Sequence, residues 1–327
     1  MVILPSLSAE VERDLMLRMK AVEDFLHEHV AGQFPFATET SRHLISAGGK
    51  RFRPVLTLLA SNYGDPTRSE IIKAAVVVEL THLATLYHDD VMDEAPLRRG
   101  VESANNRWGN SVAILTGDYL FAKSSLLLAE LGPDAVRHQA MTFERLVLGQ
   151  IMETEGPSAG EDSLEHYLKV VSEKTGSLFG LCARYGGYLS GAKPEIVETL
   201  VRFSEELGIT FQLADYIIDI ESSSNQSGKT PGTDLREGVL TLVTLIVQRM
   251  ARAEDARLLD LLSGPITDKS DVEYALHQLR QHQALDEARK ITMQRAEVAR
   301  KLLSELPLNG TTEGLFTLCD ALVARSA

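Results

Sequence analysis

The stretch Ile71-Ile-Lys-Ala-Ala-Val-Val-Val-Glu-Leu-Thr-His-Leu-Ala-Thr-Leu-Tyr87, continued by His88-Asp-Asp-Val-Met-Asp-Glu94, decides the fold class. Its apolar residues fall on every side of a 3.6-residue turn, as in a helix buried all round, and the alternation of a strand is missing. Lys73, Glu79 and His82 interrupt the run, and Asp118 and Lys123 interrupt the other most apolar stretch, Ser111–Leu131. Charges in mid-run suit core helices of a soluble protein better than membrane spans. Pro96 stops the first helix just beyond its acidic end.

Helical spacing extends outward over nearly the whole chain. It predicts helices over roughly 9–31, 35–47, 53–63, 68–94, 109–131, 133–154, 163–190, 194–222, 237–251, 254–263, 268–281, 283–305 and 311–325, hence an all-α protein. Gly and Pro set off three loops between helices: 47–54, 95–100 and the Ser-rich 222–234. Without a repeat, a low-complexity tract or a linker, one domain over 1–327 is expected.

Composition narrows the function classes. The chain has 327 residues, 44% hydrophobic and 24% charged, which excludes a disordered, collagenous or disulfide-stapled chain. A net charge of −13 lacks the footprint of a nucleic-acid binder. The two cysteines, Cys182 and Cys319, lack metal-ligand spacing and are expected as buried thiols in a reducing compartment, the cytoplasm. The first ten residues carry neither a basic nor a sustained apolar leader pattern, so no targeting segment is expected.

The acidic helix ends carry the functional information. Asp89, Asp90, Asp93 and Glu94 crowd a helix C-terminus, where carboxylates oppose the macrodipole and repel one another. Asp89 and Asp93 are i and i+4 and share one face, so they can hold a hard divalent cation completed by water and substrate phosphate. Phe211-Gln-Leu-Ala-Asp215-Tyr-Ile-Ile-Asp219 repeats the arrangement with Asp215 and Asp219. One such pair reads as a solvated acidic edge; two, each near the end of an apolar helix, point to a diphosphate–Mg²⁺ site. Cations are grouped with them: Lys50, Arg51 and Arg53 after a Gly-Gly turn, Arg98 and Arg99 after the first acidic turn, Lys174 beside Thr175, and Lys229 in the Ser-rich loop.

These residues resemble the trans-prenyl diphosphate synthases of the polyprenyl synthetase type. The likeness rests on Gly48-Gly-Lys-Arg-Phe-Arg-Pro54, the Asp-rich turn followed by Arg98-Arg99-Gly100, the second Asp motif and Gly228-Lys-Thr-Pro-Gly-Thr-Asp234. The wording Glu79–Glu94 looks like the bacterial medium- and long-chain branch. The resemblance implies an isoprenoid-synthase-type helical bundle around a central cavity, usually homodimeric. It implies head-to-tail condensation of isopentenyl diphosphate onto an allylic diphosphate (geranyl, farnesyl or geranylgeranyl) with Mg²⁺, and a transient membrane contact for product release. Carried over by position, Asp89, Asp90, Asp93, Asp215 and Asp219 serve the metals. Arg98, Lys174, Gln212 and Lys229 contact the allylic diphosphate. Lys50, Arg53, His82 and Arg99 hold isopentenyl diphosphate, and Thr175 belongs to the Lys-Thr pair beside the reacting carbon. Asp89, Asp93, Arg98, Lys174, Asp215 and Lys229 are the residues implied to carry catalysis.

Two departures stand out. Tyr216 occupies the second position of the second motif, where the family usually has Asp, and Gly238–Val243 lacks the family's proline. They leave a weakly active or non-catalytic subunit of a heteromer as an alternative; a class I terpene cyclase, which uses similar Asp-rich Mg²⁺ chemistry, is a further one, against the Gly48-Gly-Lys-Arg-Phe-Arg53 motif and the low 6% aromatic content. The resemblance also gives meaning to the helix below Asp89. A helical turn rises about 5.4 Å, close to one isoprene unit. Thr85 (i−4), Ala84 (i−5) and Thr81 (i−8) are all small, so a product longer than farnesyl diphosphate is expected, with Ala84 and Thr85 as chain-length positions.

Overall fold

The computed structural model describes residues 7–221 and 232–325. In chain order the helices are α1 (Ala9–His29), α2 (Pro35–Ser46), α3 (Phe52–Ser61), α4 (Ser69–Met92), α5 (Ala104–Trp108), α6 (Asn110–Leu131), α7 (Pro133–Glu155), α8 (Ser163–Val171), α9 (Ser177–Ser190), α10 (Pro194–Glu221), α11 (Thr233–Glu237), α12 (Leu242–Met250), α13 (Ala256–Leu261), α14 (Lys269–Gln281), α15 (Gln283–Leu303) and α16 (Gly310–Arg325). Among the described residues the strands are two, β1 (Leu97–Arg98) and β2 (Val101–Glu102), antiparallel with Arg98 opposite Val101. The all-α expectation holds.

The chain divides into two compact units. The first holds the described residues up to Glu144, with Leu178–Ser204 and Leu302–Thr317; the second holds Arg145–Ser177, Glu205–Lys301 and the described residues from Leu318.

In the first unit α4 is the core. Every residue from Ala74 to Thr81 is buried, as the all-round apolar pattern requires. Helices α1, α3 and α6 pack on it. The approach of α6 depends on small residues: a Cβ on Gly117 would stand 2.3 Å from His88 Nε2 and 3.1 Å from the Ala84 carbonyl oxygen. Helix α6 is long and apolar enough to cross a membrane by composition, yet Ala113, Gly117, Leu120, Ser124 and Leu127 are buried. In the second unit Ile209, Leu213, Ile217 and Ile220 of α10 form the core with Leu242, Val243 and Ile246 of α12 and Val272, Leu276 and Leu279 of α14. Capping follows the expected chemistry: the Asp162 carboxylate accepts from the Leu164 and Glu165 amides and starts α8, and Asp268 does the same for α14.

Five stretches differ from the sequence reading, the first being the short helix α5 (Ala104–Trp108), where no helix is predicted. The loop 95–100 contains the small hairpin, whose turn residues Arg99 (φ 54°) and Gly100 (φ 77°) are both left-handed, as a type I′ turn needs. Sequence 163–190 is broken by a π-helical turn, Ser172–Gly176. The segment 237–251 begins only at Leu242, because Gly238 (φ 73°) ends α11. The segment 254–263 starts with a 3₁₀ turn over Ala253–Asp255. Each break is a local backbone event that averaged periodicity does not register.

Candidate active site

In the first unit α4 ends in the acidic turn. Asp93 is the C-cap, and Glu94 lies beyond the helix with φ 49°. The Ala95 amide donates to the Asp90 carbonyl at 3.0 Å and the Glu94 amide to the Val91 carbonyl at 3.4 Å. That is a Schellman closure with glutamate where glycine is usual. Asp89 is half-buried and Asp93 exposed, whereas Asp90 is buried. Burial raises the Asp90 pKa, and Arg98, whose Nε donates to Oδ1 at 2.5 Å, works against that rise. Asp90 Oδ2 has no hydrogen-bond partner among the described residues.

The cations gather beside this turn, within the same unit. The Gly48-Gly49 turn needs left-handed backbone, with φ 90° and 145°. A Cβ on Gly49 would lie 3.0 Å from Arg99 Cζ and 3.1 Å from Arg51 Nη1, so glycine makes room for two guanidinium groups. Arg51 donates to Glu23 at 2.6 Å and to Glu79 at 3.0 Å. Burial opposes its charge, but Glu79 and Glu23 outweigh burial and hold its pKa up. Arg99 donates to the carbonyls of Leu44 and Gly48. Its pKa is lowered by burial and by the neighbouring arginines, against the pull of Glu79.

Arg53 makes no ion pair among the described residues. Its guanidinium lies 5.3 Å from the Phe179 ring centre, its Nε is buried without a partner, and burial lowers its pKa. His82 is driven well below the usual imidazole range, first by burial and then by Arg53, Arg99, Arg98 and Arg51. It is neutral at pH 7 and can donate or accept a hydrogen bond without adding charge. Four arginines around one histidine, two of them depressed, form a site that favours an anion.

The second unit carries the other group. Lys174 and Thr175 sit in the π turn, a form that recurs at functional sites. Arg145 fixes this turn, with Nε at 2.8 Å from Glu173 and Nη1 at 2.6 Å from Glu205. Gly149 lets α7 pass beside it: a Cβ there would be 3.0 Å from the Lys174 amide nitrogen. Lys174 pairs with Glu153. The buried Thr175 hydroxyl donates to Gln212 Oε1 at 3.2 Å. Asp215 and Asp219 are half-buried on α10, Asp219 in its last turn. Tyr216 turns toward the core, with its ring 6.2 Å from that of Tyr167. Its phenol pKa is raised by burial and then by Asp234 and Glu153, so the residue that departs from the usual motif stays neutral.

The structure therefore brings Lys50, Arg53, His82, Asp89, Asp90, Asp93, Arg98 and Arg99 into one unit, and Lys174, Thr175, Gln212, Asp215 and Asp219 into the other. Lys229 lies outside the described residues. Of the chain-length positions, Ala84 is buried under α6, and Thr85 is half-buried with its hydroxyl donating to the His82 carbonyl. Sequence reasoning missed Glu79, Arg145, Gly149 and Glu153. For Glu79 a signal existed, a lone acid in mid-run of an apolar helix; the others show nothing until the chain folds.

The donor set suits a hard cation. No group of three or more His, Cys, Asp or Glu forms a protein cage among the described residues. The paired helix carboxylates Asp89 and Asp93, next to Asp90 with its unpartnered buried oxygen, are the kind of set Mg²⁺ uses when water and substrate phosphate complete its shell. Cys182 and Cys319 are free and buried, both pushed up to about 12 by burial, and neither offers a thiolate.

Comparison with known proteins agrees with this chemistry. The family model described as polyprenyl synthetase matches residues 35–279. A nonaprenyl diphosphate synthase from Mycobacterium tuberculosis is 52% identical over 284 residues, 86% of this chain and 85% of its own. A dimethylallyltranstransferase of the same organism is 40% identical over 287 residues, 88% and 87% of the two chains. The crystal structure of geranylgeranyl pyrophosphate synthase from Corynebacterium glutamicum, complexed with calcium and isoprenyl diphosphate, aligns with a TM-score of 0.87 and 43% identity over 99% of both chains.

Proposed function

The chain belongs to the polyprenyl synthetase family, and from that premise we propose how its residues perform the family's reaction. It is a trans-prenyltransferase that condenses isopentenyl diphosphate head-to-tail onto an allylic diphosphate, with a product longer than fifteen carbons. The observation that carries the residue-level reading is the packing of Arg51 and Arg99 against Gly49, with the Arg53 Nε buried and unpartnered, in the same unit as an acidic helix end. One anion site next to one metal-suited site is what two diphosphate substrates ask for.

Asp89 and Asp93, with Asp90 in support, would hold Mg²⁺ for the allylic diphosphate, and Asp215, with Asp219 in support, would hold a further ion. When bound, Mg²⁺ neutralises the diphosphate and stabilises the negative charge that develops on it as the allylic bond ionises. Arg98 serves two ends: its Nε is engaged by Asp90, and the rest of its fork is left for the allylic diphosphate, the substrate to which the family resemblance also assigns Lys174, Gln212 and Lys229. Lys50, Arg53, Arg99 and His82 bind isopentenyl diphosphate. Arg53, whose buried Nε has no partner and which makes no ion pair among the described residues, gains one from a bound anion. Thr175, oriented by Gln212, stands by the reacting carbon. The small, half-buried Thr85 leaves room for the tail to lengthen below Asp89.

The remaining parts of the reading are a single functional domain, a cytoplasmic enzyme, a homodimer and brief membrane contact for product release. The exposed Ile114, Leu115 and Leu126 of α6 support a face that a second copy covers. Purified protein with Mg²⁺, farnesyl diphosphate and labelled isopentenyl diphosphate tests the proposal. Long-chain product is expected; no elongation in that mixture overturns it.

A further inference from the structure

Glu79 is 2% exposed and lies on α4 ten residues before Asp89. An acid buried that deeply is costly unless it is paired. Here it is paired with Arg51 and with Arg99, a cation of the isopentenyl diphosphate site just proposed. Its Oε1 is 3.0 Å from Arg51 Nη1 and 3.9 Å from Arg99 Nη2. Arg51 is stretched between Glu79 and Glu23 and also donates to the carbonyls of Ile45 and Gly48. Arg99 donates to the Leu44 and Gly48 carbonyls. Two guanidinium groups therefore tie the end of α2 and the turn before Lys50 to one carboxylate on α4.

Arg51 itself spends its donors on the protein. Two carboxylates and two carbonyls occupy its fork, which leaves it the part of a strut. The backbone bears this out: Arg51 and Arg99 both adopt left-handed φ, 51° and 54°, and such non-glycine conformations persist only where surrounding contacts enforce them.

We propose that Glu79 is a positioning residue for isopentenyl diphosphate, acting through Arg51 and Arg99 to set the spacing of Lys50, Arg53 and Arg99. The inference rests on the assignment of that substrate to these cations. It also makes a prediction opposite to simple electrostatics. Glu79→Gln removes a negative charge beside an anion site, and charge alone would then tighten substrate binding. A positioning role loosens it instead.

The test is steady-state kinetics of the full chain with Mg²⁺. Glu79→Gln is expected to raise the KM for isopentenyl diphosphate about 10-fold, the usual scale for loss of an orienting partner, with the KM for farnesyl diphosphate within about twofold of wild type. Glu79→Asp keeps the charge and shortens the reach, and is expected to raise the same KM about threefold. An unchanged or lowered KM for isopentenyl diphosphate in either folded variant overturns the proposal, as does an equal rise for both substrates. If neither variant retains the helical circular dichroism of wild type, Glu79 is scaffold and the positioning role is likewise overturned. Arg99→Gln separates the premise from the inference. If that change raises the KM for the allylic substrate and leaves that for isopentenyl diphosphate alone, the site assignment itself has failed.

Discussion

Arg98 Nε donates to the buried Asp90 carboxylate at 2.5 Å, a link from β1 to the last turn of α4. Because Asp90 is buried and Arg98 only half-buried, removing the arginine strands the acid. Arg98→Ala is expected to cost roughly 1–3 kcal/mol of stability, the range for an unsatisfied buried polar group. Urea unfolding at pH 7.5 without metal measures it.

Asp89→Ala should lower kcat by at least about 100-fold, since the proposed function makes Asp89 a metal ligand in electrostatic catalysis. The same change takes a carboxylate off a helix C-terminus, so stability without metal should stay level or rise by about 0.3–1 kcal/mol. Turnover assays and thermal melts on one preparation separate the two effects. Near-normal turnover would remove Asp89 from the site.

Glu94 holds the left-handed position of the Schellman closure. Glu94→Gly relieves that conformation and deletes one of the crowded acids. A gain of about 1 kcal/mol is expected and should appear as a higher Tm without metal.

His82 has a folded pKa well below its unfolded value. As pH falls through about 6.5, the unfolded chain takes a proton that the native state refuses, so stability declines on acidification. His29 and His138, both also lowered chiefly by burial, share in that decline. Unfolding midpoints between pH 7.5 and 5.5 should therefore fall for wild type and fall less for His82→Gln. An identical slope would show that the histidine is not held neutral.

Thr85→Phe should shorten the product by about one isoprene unit or more, because its half-buried side chain lies one turn, about 5.4 Å, below Asp89. Ala84→Phe is the less clean experiment. Ala84 is fully buried, with its carbonyl oxygen close beneath Gly117, and a bulky side chain there is expected to cost stability as well. Chromatography of dephosphorylated products reads both. No shortening in either variant would remove this helix from the tail channel.

The fold class was legible because the signal is redundant. The apolar surround of α4 and the stripes of the other helices each state it independently. The acidic ends were legible for the opposite reason: Asp89, Asp90 and Asp93 violate a local rule, and such violations cluster where function outweighs stability. The type I′ hairpin and the π turn were not legible. A two-residue strand has no periodicity to detect, and a single wider turn looks like helix in any averaged window. The supporting partners stayed hidden too. Arg145 reaches Glu173 and Glu205 across 28 and 60 residues, and no local pattern encodes such a pairing.

The π turn at Ser172–Gly176 amounts to one residue more than an α-helical path would use. Deleting a residue there, or splicing in a regular segment from another helix, would swing every later side chain of α9 through about 100° relative to α8. Grafts and chimaeras that cut between Val171 and Ser177 must therefore inherit the surplus residue intact.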